Sequence, residues 1–319
     1  MKLSIIECYD LPEKLDENSV YRILPKNFEE KYYWERVDRN IGWITKDEQE
    51  ILRKSSVGVA GCGGMGGQLA EKFLRLGVGE IRISDCELFD VSNINRQFGA
   101  SRSTVGKSKA LETAKMLRAV SDDFQLIVYP QGICEETANE FISGCDVVCD
   151  EIEFWAIAAR ILLHMEARKR GVPVFNCNTI GFSTRLFFFA DDGATMEDCL
   201  GLNYQEAKHL QNKIYLGKAT DHEKRKVMDS VLKGLLPEFP EYCNSKPLRN
   251  RERLLEERKA PIIATNPPLA TGFLADHVLL YLLRNSSVKR EVVKPPKMPG
   301  YLHFDAAKME AKVVTGKWW

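Results

Sequence analysis

The sequence predicts an α/β fold, a doubly wound Rossmann-like sheet that is mostly parallel. Strand-like and helix-like patterns alternate between residues 57 and 190. The apolar run 57–60 leads directly into a glycine cluster, 61–67, and then into a stretch with helical spacing. Asp85 follows the next apolar run, about 24 residues after Gly61, where a dinucleotide-binding unit places its ribose-binding carboxylate.

The individual elements follow from the same patterns. Strands are predicted near 57–60, 81–84, 124–129, 145–149, 173–177 and 185–189, and helices at 66–76, 107–119, 135–143 and 155–170. Thr45 and Glu48 have capping-box spacing, which predicts that a helix begins just before the first of these strands.

The chain is predicted to have four parts. Residues 1–37 indicate an N-terminal arm, and residues 38–190 form the core described above. Residues 191–265 are dense in mixed charge with helical periodicity, which favours a helical insertion. Residues 266–319 begin with an apolar helix through 283, and strands near 290–294, 300–304 and 310–314 are predicted to complete the sheet as a C-terminal antiparallel extension.

Composition excludes several classes of protein. The 45 basic and 45 acidic residues cancel, so no overall field attracts nucleic acid or an acidic membrane. No apolar run reaches transmembrane length, and the first ten residues do not resemble a signal peptide. The nine cysteines include no C-x-x-C pair, so we expect no zinc site and a cytoplasmic, reducing location.

The glycine cluster is typical of a phosphate cradle. Gly61, Gly63, Gly64 and Gly66 carry no side chains, so backbone N–H groups and a helix N-terminus can approach a polyphosphate. Taken alone, this loop and Asp85 are equally typical of an NAD-binding oxidoreductase or of a nucleotide-binding scaffold.

Cationic and amide residues follow the cradle and narrow these alternatives. Arg96 and Lys109, with Asn93 and Gln97, are predicted to converge on phosphates that lie across the glycines. Hydride transfer does not need these cations. Attack at phosphorus does, because charge develops on the nonbridging oxygens and on the departing pyrophosphate.

At these residues the chain resembles the ThiF/HesA/MoeB family, prokaryotic relatives of the ubiquitin-activating enzymes. The resemblance rests on the glycine loop, Asp85, the runs 92–97 and 106–109, and the upstream run 38–42. It implies binding of ATP with Mg²⁺ and adenylation of a carboxylate with release of pyrophosphate. By the same resemblance, Asp85 holds the ribose hydroxyls and Arg96 and Lys109 hold the phosphates.

The remaining site residues are implied in the same way. Asn93 and Gln97 would orient the α-phosphate, and Arg39 would reach the γ-phosphate in a neighbouring subunit, which implies a homodimer. The family usually shows Asp-x-x-Asp-Asn at its metal site, whereas this chain has Asp150-Glu151-Ile152-Glu153. Asp150 and Glu153 are therefore alternative Mg²⁺ ligands.

The resemblance also implies that the insertion at 191–265 forms an acceptor-binding region. The carboxylate acceptor itself stays open at this point. The alternatives are the C-terminus of a ubiquitin-like sulfur-carrier protein and a ribosomal precursor peptide in a pathway of microcin C or pantocin type. A third is an activity like that of tRNA threonylcarbamoyladenosine dehydratase, which the neutral charge disfavours. Cys177 and Cys199 are candidate thiols for a transfer step after adenylation.

Overall fold

Ten strands form a mixed sheet in the computed structural model, which describes residues 3–26, 29–243 and 250–319. Residues 27–28 of the predicted arm and 244–249 of the predicted insertion lie outside the described residues. The strands are β1 (Ser4–Cys8), β2 (Ser19–Ile23), β3 (Ser56–Ala60), β4 (Glu80–Ser84), β5 (Gln125–Tyr129), β6 (Val147–Asp150), β7 (Val174–Ile180), β8 (Ser183–Phe189), β9 (Tyr301–Asp305) and β10 (Glu310–Val314).

The centre of the sheet is parallel and runs in the order β5-β4-β3-β6-β7. The chain leaves β3 in one direction through β4 and β5, and returns on the other side through β6 and β7. In such sheets, ligands bind outside the carboxyl ends of the strands where the order reverses. Here that point lies between β3 and β6, so the glycine cluster and the turn at 150–153 are neighbours.

Helices cover both faces of the sheet, which confirms the doubly wound prediction. Helices α5 to α10 share one apolar core, and α2, α3, α4 and α11 share the other. The helices are α1 (Glu30–Arg36), α2 (Lys46–Lys54), α3 (Gly66–Leu76), α4 (Lys109–Val120), α5 (Ala138–Ile142), α6 (Ile157–Lys169), α7 (Met196–Leu200), α8 (Tyr204–Tyr215), α9 (Asp221–Leu235), α10 (Asn250–Glu256) and α11 (Asn266–Leu282). None in the described part of the chain is long and apolar enough to cross a membrane.

The flanking segments mostly follow the predicted pattern. The helical insertion contains α7 to α10, and β8, β9 and β10 form the antiparallel extension. The strand predicted at 290–294 is wrong. Val292 and Val293 face solvent there, and Pro295 and Pro296 follow without N–H groups to donate to a ladder.

Residues of the predicted N-terminal arm extend the sheet. β2 pairs antiparallel with β5, and β1 pairs parallel with β2 at the sheet edge. The described part of this segment therefore packs against its own chain. The division of the chain into four parts stays a prediction.

A buried carboxylate joins α2 to the segment after α11. Glu48 is 1% exposed and completes the capping box with Thr45, and Ser286 and Arg290 also donate to its side chain. These donors, Arg290 foremost, lower the pKa of Glu48 to about 2 although burial opposes the shift.

We expect Glu48→Gln to destabilise the fold at pH 7 by roughly 2–3 kcal/mol, because the native state favours the ionised carboxylate. The folded pKa lies below that of the unfolded chain. The wild-type advantage should therefore be complete above about pH 4.5 and should fade as the pH falls towards 2. Urea unfolding at a series of pH values measures it. An advantage that stays constant down to pH 2 would contradict the assignment, and Glu50→Gln on the same helix is the control.

Candidate functional site

Two of the four cradle glycines are required by close packing. Gly61 has a φ of +105°, a left-handed conformation that favours glycine, and a Cβ there would overlap the backbone of Glu151. A Cβ on Gly66 would overlap the carbonyl oxygen of Gly61. These glycines therefore let the loop after β3 pack against the turn after β6 and against α3.

The other two glycines face the loop that carries the predicted cation. The nearest atom to a Cβ on Gly63 would be Nε2 of Gln97 at 3.8 Å. Gly64 would meet Pro267 at 3.4 Å and Arg96 at 3.6 Å, both ordinary contacts. No side chain caps the start of α3. Backbone N–H groups at this helix N-terminus can therefore bind an anion beside Arg96.

Arg96 makes only neutral contacts. Its Nη1 donates to the Ser92 carbonyl oxygen at 3.1 Å and to Oδ1 of Asn95 at 3.0 Å. Within the described ranges, no carboxylate lies within ion-pair distance of Arg96. Partial burial lowers the pKa of Arg96, but an arginine stays charged at neutral pH. The guanidinium therefore retains its capacity to bind an anionic group.

Asn93 and Gln97 have different surroundings. Asn93 is buried, and its Oδ1 accepts the backbone N–H of Asp90 at 3.0 Å. Its carbonyl oxygen accepts the N–H groups of Arg96 and Gln97, so it shapes the loop that carries them. Gln97 is also buried, and its Oε1 has no hydrogen-bond partner among the residues that the structure describes.

Asp85 and Lys109 lie together at the carboxyl end of β4. Asp85 accepts the N–H groups of Cys62 at 2.7 Å and Glu87 at 2.8 Å, which ties it to the glycine loop. Lys109 is buried, and its Nζ lies 2.5 Å from Oε2 of Glu87. Burial opposes the charge on Lys109, but Asp85 and Glu87 outweigh it and raise the pKa of Lys109. Burial raises the pKa of Asp85, although the positive charge of Lys109 opposes that shift.

Asp150 is enclosed by two basic side chains. Its carboxylate is fully buried, with the Nε of Arg160 and the Nε2 of His164 each 3.0 Å from Oδ2. Its Oδ1 accepts the N–H of Ile152 at 3.1 Å. Burial opposes ionisation, but Arg160 and His164 more than compensate and lower the pKa of Asp150. Both oxygens therefore serve to hold the turn after β6.

Glu153 lies further along the same turn and is partly exposed. The Tyr215 hydroxyl donates to its Oε1 at 2.7 Å, and the Trp155 N–H donates to its Oε2 at 3.0 Å. Burial raises the pKa of Glu153, and the negative charge of Glu87 adds to that shift. The carboxylates that follow β4 and β6 are therefore close enough to interact electrostatically.

This donor set fits Mg²⁺ bound together with phosphate. The described residues contain no group of three or more His, Cys, Asp or Glu side chains that would hold a metal ion by themselves. Mg²⁺ takes one or two protein carboxylates and completes its shell with phosphate oxygens and water. Glu153, with Glu87 near it, offers that arrangement.

Arg39 lies apart from these residues. It is exposed on the short 3₁₀ turn Asp38–Asn40, and within the described part of the chain no hydrogen bond or ion pair joins it to Asp85, Arg96 or Lys109. It lines a surface depression together with Trp43, whose side chain is 88% exposed. An exposed arginine next to an exposed tryptophan is typical of a protein contact surface.

The two candidate transfer thiols are both buried. Cys177 is 3% exposed in β7, and Cys199 is 3% exposed in α7. Burial raises the pKa of both thiols well above the ordinary value. Neither has the thiolate character that acyl transfer requires.

Sequence reasoning missed two members of this cluster. Glu87 lies two residues after Asp85 and pairs with Lys109. The sequence signal that could have identified it is an acidic residue in the same motif as that lysine. Tyr215 comes from the helical insertion, 62 residues after Glu153, and no local pattern marks it.

Comparison with known proteins identifies one matching family and several relatives. The model of the ThiF family matches residues 37–317. The chain is 28% identical over 262 residues to the tRNA threonylcarbamoyladenosine dehydratase of Bacillus subtilis, covering 79% of this chain and 96% of that one. It is 28% identical over 149 residues to the mouse adenylyltransferase and sulfurtransferase MOCS3, covering 47% of this chain. The match spans only 32% of the mouse protein.

Solved structures of Escherichia coli MccB share the fold. The complex with MccA-N7isoASN has a TM-score of 0.59 at 15% identity, covering 88% of this chain and 72% of that one. The complex with ATP has a TM-score of 0.56 at 15% identity, covering 85% of this chain and 67% of that one. At this identity the similarity shows the fold alone.

Proposed function

The chain belongs to the ThiF family, and we propose that it is an adenylyltransferase that uses ATP and Mg²⁺ to activate a carboxylate on a protein or peptide. One observation carries the proposal. Arg96, which has no carboxylate partner among the described residues, lies against Gly64 at the start of α3. The buried cation Lys109 lies beside Asp85. Two positive charges therefore lie near the backbone N–H groups that would bind a polyphosphate.

The residues divide the chemistry between them. A carboxylate oxygen of the acceptor attacks the α-phosphorus, a new acyl–oxygen–phosphorus linkage forms, and the bond to the β-phosphate oxygen breaks to release pyrophosphate. Arg96, Lys109 and the N–H groups of α3 stabilise the charge that develops on the phosphate oxygens. Asp85 binds the ribose, and Asn93 holds the loop so that Gln97 reaches the α-phosphate.

Glu153 is the proposed metal-linked carboxylate, because Asp150 is enclosed by Arg160 and His164. Bound Mg²⁺ would neutralise phosphate charge and orient the triphosphate. Since neither candidate thiol has thiolate character, we propose that the acyl-adenylate passes directly to the next reactant without a cysteine thioester.

The acceptor is either the C-terminal carboxylate of a ubiquitin-like carrier protein or a carboxylate of a precursor peptide. MccB, which shares the fold, has been solved in complex with MccA-N7isoASN, and this keeps a peptide among the candidates. A second candidate is activation of the carboxylate of threonylcarbamoyladenosine in tRNA. The match to nearly the full length of the Bacillus dehydratase favours it, and the zero net charge disfavours it.

Pyrophosphate release tests these alternatives directly. The purified protein is incubated with ATP, Mg²⁺ and, separately, carrier proteins, short peptides encoded near the gene, and tRNA that contains threonylcarbamoyladenosine. We expect pyrophosphate release with one acceptor, matched by an equal amount of acyl-adenylate, which gives AMP once the acyl group is transferred or hydrolysed. Release with tRNA alone would replace the first candidate by the second. A nicotinamide cofactor that copurifies, with no release for any acceptor, would favour an oxidoreductase.

The exposed position of Arg39 and Trp43 supports a homodimer in which Arg39 serves the partner's site. Arg39→Ala and Lys109→Ala proteins should each be weakly active, and a mixture in which subunits exchange should recover about a quarter of wild-type activity. The reason is that half of the dimers are mixed, and each mixed dimer has one intact site. No recovery, although native mass spectrometry shows mixed dimers, would place Arg39 in the site of its own subunit.

A further inference from the structure

The metal-linked carboxylate of the proposed site is held by a residue of the helical insertion. Trp155, which donates to Oε2 of Glu153, is two residues away, so that contact belongs to the turn itself. Tyr215, which donates to Oε1 at 2.7 Å, is the last residue of α8. The insertion thus supplies one of the two hydrogen bonds that orient this carboxylate.

Helix α8 is docked against the same turn by independent contacts. Oε1 of Gln211 accepts the N–H of Ala158 at 2.8 Å at the start of α6, where no side chain of α6 itself caps the helix. Ile214 is buried, and its carbonyl oxygen accepts Nη1 of Arg258 at 2.9 Å. These contacts hold the end of α8 beside the turn, and Tyr215, which is 49% exposed, reaches Glu153 from there through its hydroxyl.

We propose that Tyr215 is a positioning residue for Glu153, and that α8 is thereby part of the nucleotide site. This inference rests on the proposed function. Carboxylates that bind metal ions are usually oriented by hydrogen bonds from surrounding groups, and loss of such a group costs about 10–100-fold in metal affinity or activity. A tyrosine hydroxyl suits this role, because it orients the carboxylate without adding a positive charge that would repel the metal ion.

The same hydroxyl links the nucleotide site to the helical insertion. Residues 191–265 are the predicted acceptor-binding region, and Tyr215 joins that region to the proposed metal-linked carboxylate.

The test measures metal binding without turnover. Binding of α,β-methylene ATP, which cannot be cleaved between the α- and β-phosphates, is titrated by calorimetry at a series of Mg²⁺ concentrations. We expect Tyr215→Phe to raise the Mg²⁺ concentration needed for half-maximal binding about 10-fold. Tyr204→Phe is the matched control, because Tyr204 begins the same helix and its hydroxyl donates to Glu135 at 3.0 Å. That variant should keep the wild-type Mg²⁺ dependence.

A double-mutant cycle separates positioning from a general structural effect. In a Glu153→Gln background, Tyr215→Phe should cause no further change in Mg²⁺ dependence, since the carboxylate it orients is absent. Unchanged or tighter Mg²⁺ binding by the single Tyr215→Phe variant would overturn the inference and leave the proposed function standing. Wild-type binding that does not depend on Mg²⁺ would overturn both.

Discussion

Replacement of Arg96 by alanine is expected to lower the rate of ATP–pyrophosphate exchange by roughly 10²–10³-fold, the usual cost of one group that stabilises transition-state charge. The fold should survive the change. The side chain of Arg96 donates only to the Ser92 carbonyl oxygen and to Asn95, both at the surface. The loop backbone is held instead by Asn93, which accepts the N–H of Arg96.

Two measurements test this prediction. Exchange is measured with an acceptor that supports it in the wild type, and thermal unfolding is measured on the same samples. Arg75→Ala is the control, because Arg75 lies on the exposed side of α3 and pairs with Glu71. A wild-type exchange rate in Arg96→Ala would contradict the proposed function. Arg96→Lys keeps a charge but loses the planar fork, so its exchange rate should lie between those of the wild type and Arg96→Ala.

Asp150→Asn is expected to destabilise the protein by about 3–5 kcal/mol, because it leaves the buried guanidinium of Arg160 without its negative partner. In a chain of this length the corresponding fall in Tm is roughly 5–7 °C. Glu153→Gln should behave differently. The amide retains an oxygen that accepts the Trp155 N–H, so stability should change little. Mg²⁺ affinity should fall at least about 10-fold.

The two variants together assign the metal ligand. Thermal unfolding is measured without nucleotide, and Mg²⁺ dependence is measured by calorimetry with α,β-methylene ATP at a temperature where both variants are folded. We expect Asp150→Asn to show the stability defect and Glu153→Gln to show the metal defect. The reverse pattern, a stable Asp150→Asn protein without Mg²⁺ dependence, would make Asp150 the ligand.

Much of the fold could be predicted from local patterns. The strand at 57–60 appears as Ser56–Ala60, and the helix at 66–76 appears with the predicted bounds. Both are central elements whose apolar spacing repeats over a whole strand or helix. The prediction failed at 290–294, where two valines indicated a strand. That segment is instead held by Arg290, whose partner Glu48 lies 242 residues earlier in the chain.

The predicted site residues divide in a similar way. Asp85, Lys109, Arg96 and the glycine loop lie together at the carboxyl ends of β3 and β4, and the connecting contacts lie within a span of about 50 residues. The choice between Asp150 and Glu153 could not be made from the sequence, because both follow the same strand. Their partners distinguish them, since Asp150 is enclosed by Arg160 and His164 of α6 whereas Glu153 is partly exposed and contacts Tyr215 of α8.

Local patterns predict the class of sheet, the glycine loop and the cations beside it. Periodicity and motif spacing carry that information because they are properties of short stretches of chain. The packing roles of two glycines, the enclosure of Asp150 and the contact between Tyr215 and Glu153 are visible only in the folded chain. These depend on contacts between elements far apart in sequence, and such contacts are set by how β3, β6 and α8 pack together rather than by any local pattern.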